Sequence, residues 1–208
     1  MNKFVKSIVI VAALLIGGTA FAAAQLGKDY TLLNPSQPTD NKKIEVLEFF
    51  FYGCSHCYHL HEPLTAWEKS KPRDVVLTFV PTIFRDSMEP MARTMYALES
   101  MGQLDKLHDA LYNAWNVDKI ELFDEASIGN FVAKHGVDRT KFTDAYNSFS
   151  MQSRVARAKQ MVRSYRINGT PTLVVAGKYV ITGLQPDDTV RVLKEVIDIA
   201  RKSRSGKK

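Results

Sequence analysis

Glu48-Phe49-Phe50-Phe51-Tyr52-Gly53-Cys54-Ser55-His56-Cys57-Tyr58 carries the only two cysteines of the 208-residue chain. They stand two residues apart, after a nearly unbroken apolar run and before a helical pattern. Ile44 to Tyr52 reads as a central strand buried on both faces. Leu60, Leu64 and Trp67 then recur at helical spacing, with Pro63 predicting a kink or break near Glu62. Lys71-Pro72-Arg73-Asp74 ends that helix, and Val75 to Val80 reads as a second buried strand. A strand, a crossover helix and a strand of these lengths form a parallel βαβ unit.

Strand signals are absent from about Met88 to Arg166. Five helical stripes fill the interval. They are Met91, Met95, Leu98 and Met101; Leu104, Leu107, Leu111 and Trp115; Ile128, Phe131 and Val132; Phe142, Ala145, Tyr146 and Phe149; and Val155, Ala158, Val162 and Tyr165. Gly102, Asp124 and Gly136-Val137-Asp138 supply breaks and caps. Strands return at Thr172 to Val175 and Tyr179 to Thr182, joined by the hairpin signal Ala176-Gly177-Lys178. Pro186 opens a last helix with Leu193, Val196, Ile197 and Ala200 on one face. Tyr30-Thr31-Leu32-Leu33 adds a short edge strand. The fold class is α/β, with a helical block inserted into a domain that needs both chain ends to complete its sheet.

At the N-terminus, Lys3 and Lys6 precede the apolar run Ile8 to Ile16 and the small residues Gly17 to Ala24. This is the layout of a secretory signal peptide, with cleavage after Ala22 or Ala24. The apolar run falls short of the ~18–20 residues a membrane span needs. The formal charge is +6. Without Lys3, Lys6 and the five basic residues among positions 201–208, 21 basic residues face 22 acidic ones. The high isoelectric point therefore does not describe a nucleic-acid groove, and positions 201–208 read as a basic disordered tail. An exported chain sits where disulfides persist, yet the lone pair closes too small a loop to staple the fold. Exchange chemistry is the better use for it.

A C-x-x-C pair beside a βαβ pattern is a thioredoxin-like redox motif. At a helix N-terminus Cys54 gains thiolate stability from unpaired N–H groups and the helix dipole. Cys57, one turn inside, keeps a more ordinary thiol and resolves mixed disulfides. His56 adds positive charge when protonated. A c-type haem site needs His where Tyr58 stands. Zinc could recruit His59 or His61, but the second spaced pair of a structural site is lacking. His59 and His61 read as exposed helix residues, and His108 and His135 as surface or satisfied ones. Glu48 lies on the strand face of Val46 and Phe50. It is either a strand-end acid with solvent access or a buried carboxylate of raised pKa that shuttles the proton of Cys57. Thr170-Pro171 precedes a strand. It fits either a trans strand-start proline or a cis-proline loop facing the cysteines, with Thr170 offering backbone groups to an extended substrate.

Glu48-Phe49-Phe50, Cys54-Ser55-His56-Cys57-Tyr58, the helical insertion and Gly169-Thr170-Pro171-Thr172 together resemble the DsbA-type periplasmic thiol:disulfide oxidoreductases of Gram-negative bacteria. The resemblance implies a thioredoxin fold with an inserted all-helical subdomain. Residues 25–86 and 167–200 would form the thioredoxin-like part, 87–166 the insertion, and 1–24 the removed signal. It implies a periplasmic monomer that donates its disulfide to reduced unfolded exported proteins and is reoxidised by a DsbB-like quinone-linked inner-membrane partner. No cofactor, metal or nucleic acid is expected. Cys54 would be the nucleophile, Cys57 the resolving thiol, His56 the tuning residue, Glu48 the buried acid and Pro171 the cis-proline. Ser55 departs from the family's usual proline. The lysine that often pairs with the buried acid is not evident, although Arg73 and Asp74 lie in that vicinity. A reductase or isomerase, or a chaperone-like binder of unfolded exported chains, are the other functions such a chain could serve.

Overall fold

The computed structural model describes residues 23–40 and 42–205. The expected signal segment falls almost wholly outside them. Five strands form one mixed sheet in the order β1-β5-β4-β2-β3. These are β1 (Thr31–Leu32), β2 (Ile44–Phe50), β3 (Val75–Pro81), β4 (Thr172–Val175) and β5 (Tyr179–Thr182). The apolar run of β2 places it inside the sheet, parallel to β3 and antiparallel to β4. β1 caps the other edge against β5.

The helix α1 (Ser55–Ser70) makes the βαβ crossover, and α7 (Pro186–Ser205) packs beside it. Their apolar stripes, Leu60, Leu64 and Trp67 with Val192, Leu193 and Val196, cover Val46 and Leu173 on one sheet face. Leu47, Phe49 and Val174 on the opposite face meet Val162, Tyr165 and Ile167. Between β3 and β4 run α2 (Glu89–Ser100), α3 (Leu104–Asn116), α4 (Glu125–Lys134), α5 (Arg139–Tyr146) and α6 (Phe149–Ser164). Met91, Met95, Leu98, Leu107 and Leu111 of this block share a core with Phe50 and Tyr52, so the block is anchored on the C-terminal end of β2. Asp124 and Asp138 cap α4 and α5 through bonds from the backbone N–H groups of Ser127 and Lys141.

In the β4–β5 turn both Ala176 and Gly177 have positive φ, as the mirror-image hairpin turns require. A Cβ at Gly177 would lie 2.3 Å from the Gln37 carbonyl oxygen, so the neighbouring loop fixes glycine there.

Three expectations change. α1 runs unbroken through Pro63. The missing proline N–H deprives one carbonyl of its bond, and burial of Leu60, Leu64 and Trp67 holds the helix on either side. Phe149 leaves the fourth stripe, because α5 ends at Tyr146 and Phe149 opens α6 with its ring in solvent. Positions 201–205 are the last helical residues of α7 rather than a disordered tail. There Arg201 pairs with Asp74, and Arg204 donates to the Lys43 carbonyl.

Candidate active site

β2 delivers the site. Its last residues pass through Phe51, Tyr52 and Gly53, and the Cys54 N–H donates to the Phe51 carbonyl at 3.0 Å. Gly53 is required by space. A Cβ there would stand 2.6 Å from Cε1 of Phe51 and 3.0 Å from Cε3 of Trp115. Cys54 then takes the N-cap of α1, with its sulfur 3.4 Å from the Cys57 N–H.

The two cysteines are unequal. Cys54 is half-buried, whereas Cys57 is closed from solvent. A hydrogen bond from the Cys57 thiol, joined by the backbone N–H groups of Cys57 and His56, holds Cys54 down at about 5. Burial pushes the Cys57 thiol far above the ordinary thiol range, and its bond to Cys54 and the Glu48 carboxylate push it further. At neutral pH the pair is therefore one thiolate and one thiol.

The Thr170–Pro171 peptide is cis. It brings the Thr170 carbonyl oxygen to 3.3 Å from the Cys54 sulfur, across a sequence separation of 116. Thr172 steadies the loop by donating from Oγ1 to the Gly169 carbonyl at 2.8 Å. A groove of about 280 Å³ runs from His56 and Leu60 past Thr170 and Pro171 to Leu184 and Gln185. The His56 side chain is exposed at its rim.

Glu48 is 1 % exposed, and neither carboxylate oxygen has a hydrogen-bond partner. Its strand neighbours are Phe79 on β3 and Leu173 on β4. Desolvation raises its pKa to about 8, helped by the nearby Cys54 and Glu68 charges. Glu48 is thus a buried carboxylate of raised pKa and not a strand-end acid with solvent access. Arg73 and Asp74 do not reach it. Asp74 precedes β3 at its far end and is held by Arg201.

The sequence and the fold have counterparts among known proteins. Residues 59–193 match the family described as a DSBA-like thioredoxin domain. This chain belongs to the DSBA-like thioredoxin family. The thiol:disulfide interchange protein DsbA of Burkholderia cepacia is 35% identical over 212 residues, covering 100% of both chains. The Bordetella parapertussis protein of the same name is 38% identical over 200 residues, 94% of this chain and 95% of its own. Among solved structures, Pseudomonas aeruginosa DsbA superposes with a TM-score of 0.83 at 31% identity, covering 87% of this chain and 96% of that one. DsbA from Xylella fastidiosa gives 0.79 at 31% identity, covering 85% and 97%. The family match begins two residues past Cys57, and the full-length relatives extend the likeness across the cysteines.

In this DSBA-like chain one buried cluster escaped sequence reasoning. The Tyr52 hydroxyl lies 2.7 Å from Nδ1 of His108. His108 meets His61 edge to face with ring centroids 4.7 Å apart, and His61 lies at a tilt against Tyr112 with centroids 4.6 Å apart. Burial, with His61 beside it, pushes His108 down to about 3, so it stays neutral. Burial raises both the Tyr52 and the Tyr112 phenols, and the Glu48 charge adds to it at both. His59 is exposed as expected, but His61 is buried. The reason is α3, which crosses α1 and presents Asp109, 2.6 Å from Nε2 of His61. Among the described residues no group of three or more His, Cys, Asp or Glu side chains is placed to hold a metal ion.

Proposed function

We propose that this chain is a dithiol oxidase that passes the Cys54–Cys57 disulfide to reduced exported proteins. The observation that carries the reading is the inequality of the pair. Cys54 is reachable and its thiolate is stabilised; Cys57 is enclosed and its thiol is favoured. A client thiolate attacks the Cys54 sulfur. The Cys54–Cys57 bond breaks and its electron pair goes to Cys57, which takes up a proton. Glu48, protonated below about 8, is the donor at hand. A second client thiolate then attacks the client sulfur of the mixed disulfide. Cys54 leaves as a thiolate, and the client has lost two electrons and two protons. Stabilising that leaving thiolate makes the disulfide oxidising, and the DsbA family is the reference case for this effect.

The exposed groove at Thr170 and Pro171 supports main-chain binding of an extended client beside Cys54. In this reading His56 tunes the thiolate and a DsbB-like quinone-linked membrane protein reoxidises the pair. The protein acts as a periplasmic monomer. Residues 1–24 serve as its export signal, 25–86 and 167–200 as its thioredoxin-like part and 87–166 as the insertion. Among the described residues no helix is long and apolar enough to cross a membrane.

Replacing Cys57 with Ser tests the reading. With oxidised glutathione supplied as the two-electron oxidant, the oxidase should accumulate client mixed disulfides through Cys54 that reductant releases. A binder of unfolded chains would show no covalent adduct, and that result would refute exchange.

A further inference from the structure

The end of the molecule opposite the cysteines is basic. β2 is seven residues long, which sets its two ends about 23 Å apart. α1 runs back for 16 residues, about 24 Å. Three segments distant in sequence meet at the far end: Lys42 and Lys43 before β2, Lys69 to Arg73 from the last turn of α1 into the loop before β3, and Arg201 to Arg204 at the end of α7. Bonds hold them together. The Ile44 N–H donates to the Asp74 carbonyl at 2.7 Å, Arg201 grips the Asp74 carboxylate, and Arg204 donates to the Lys43 carbonyl. The carboxylates here are largely used internally. Asp74 and Asp198 are bound by Arg201, and Glu68 by Lys71. Asp40 and the half-buried Glu45 are the other acids nearby. Lys42, Lys43, Lys69, Arg73 and Lys202 are all exposed. The basic residues at the end of the sequence thus join a surface that the linear sequence does not display.

A cavity of about 500 Å³ opens at the same end, beside the β4–β5 turn. Lys178 and Arg204 line it with the hydroxyls of Ser36, Thr39 and Ser203. Two cations and three hydroxyls suit a phosphate ester. Four of the five exposed cations around it are lysines, Lys42 and Lys43 in a loop and Lys69 and Lys202 in the last turns of α1 and α7, and Tyr179, the aromatic residue of the cavity, is buried. Protein interfaces are depleted of lysine and organised around desolvated aromatic or arginine anchors. Flexible, hydrated cations without such anchors match a fluid anionic surface instead.

We propose that this basic end docks on anionic phospholipid bilayers, with the cavity seating a headgroup phosphate and the cysteines turned away from the membrane. Surface-bound molecules would then offer Cys54 to chains in the aqueous space, and reoxidation at the membrane would follow their release.

The test is co-sedimentation of the purified protein with phosphatidylcholine vesicles with and without phosphatidylglycerol. Binding is expected only with phosphatidylglycerol, and is lost at about 0.5 M salt. Replacing Lys42, Lys43, Arg73 and Lys202 with Gln should lower binding at least about tenfold. The same variant should keep its thiol-exchange rate, which also shows that it is folded. Bound protein should react through Cys54 with a soluble thiol reagent as fast as free protein. Equal binding to both vesicle types, or unchanged binding by the variant, would overturn the proposal. Release by millimolar inorganic phosphate at matched ionic strength would reduce the site to a small-anion one. Equally tight retention on double-stranded DNA would show a general polyanion binder.

Discussion

Glu48 stands directly across the β2–β3 ladder from Phe79, and this pairing leaves the one buried acid of the sheet without a counter-charge. Leu173 flanks it on the other side. A cation at either position would hold the carboxylate ionised. Two apolar neighbours hold it protonated up to about 8.

Stability should record this. Glu48 titrates near the ordinary glutamate value of 4.5 in the unfolded chain and near 8 in the folded one. Between those values the folded state binds the extra proton, so this group's contribution falls as pH rises from about 4.5 to 8. Glu48→Leu removes that loss. In urea unfolding of the reduced protein the variant should gain on the parent by on the order of 2–4 kcal/mol at pH 8. The gain should shrink progressively toward pH 5. A difference that does not change with pH would show that Glu48 ionises normally.

Glu48 should also matter to rate. Glu48→Gln keeps the shape but cannot transfer the proton of Cys57. Release of Cys57 from the disulfide, followed by stopped flow with a model dithiol, should slow about tenfold or more below pH 8. An unchanged rate and pH profile would remove Glu48 from the proton pathway.

The Cys54 thiolate draws its largest stabilisation from the Cys57 thiol. Thiolate absorbance against pH should give a midpoint near 5 for the parent. Cys57→Ala removes the donor and should raise the midpoint, while Cys57→Ser supplies a hydroxyl donor and should largely retain it. Identical midpoints in the two variants would assign the stabilisation to the helix N-terminus alone.

Gly53→Ala places a methyl group against the Phe51 and Trp115 rings, with no room at either contact. A loss of about 1–3 kcal/mol in unfolding free energy is expected, accompanied by a change in Trp115 fluorescence. Parent-like stability and fluorescence would mean that the Phe51 ring yields freely.

Asp109 is the hydrogen-bond partner of buried His61, and the pair ties α1 to α3. Asp109→Ala should cost on the order of 1 kcal/mol, since the Asp109 side chain is itself largely exposed. Urea unfolding is the check, and a neutral outcome would show the bond to be replaced by water.

Local pattern made β2, the helix after it and the redox pair readable. An apolar run, the only two cysteines and a helical stripe stand next to one another in the chain. Thr170-Pro171 was readable in part: a proline before a buried strand must sit outside the ladder, but that holds for a trans and a cis bond alike, and only the fold brings Thr170 to Cys54. The cluster of Tyr52, His61, His108 and Tyr112 was not. Periodicity tells which residues of α1 turn inward, but not that α3 arrives with Asp109 to receive His61. The same limit hid the basic end, where charges near positions 42, 70 and 202 converge only after the sheet forms. Pro63 and Phe149 failed in the opposite sense, since local signals there were overruled by packing and by an early helix stop.

The equilibrium of the Cys54–Cys57 pair with glutathione tests the central claim most directly. A thiolate held near 5 stabilises the reduced pair, so the potential should lie well above the roughly −270 mV of thioredoxin. A value close to thioredoxin's would contradict the assignment as a disulfide donor.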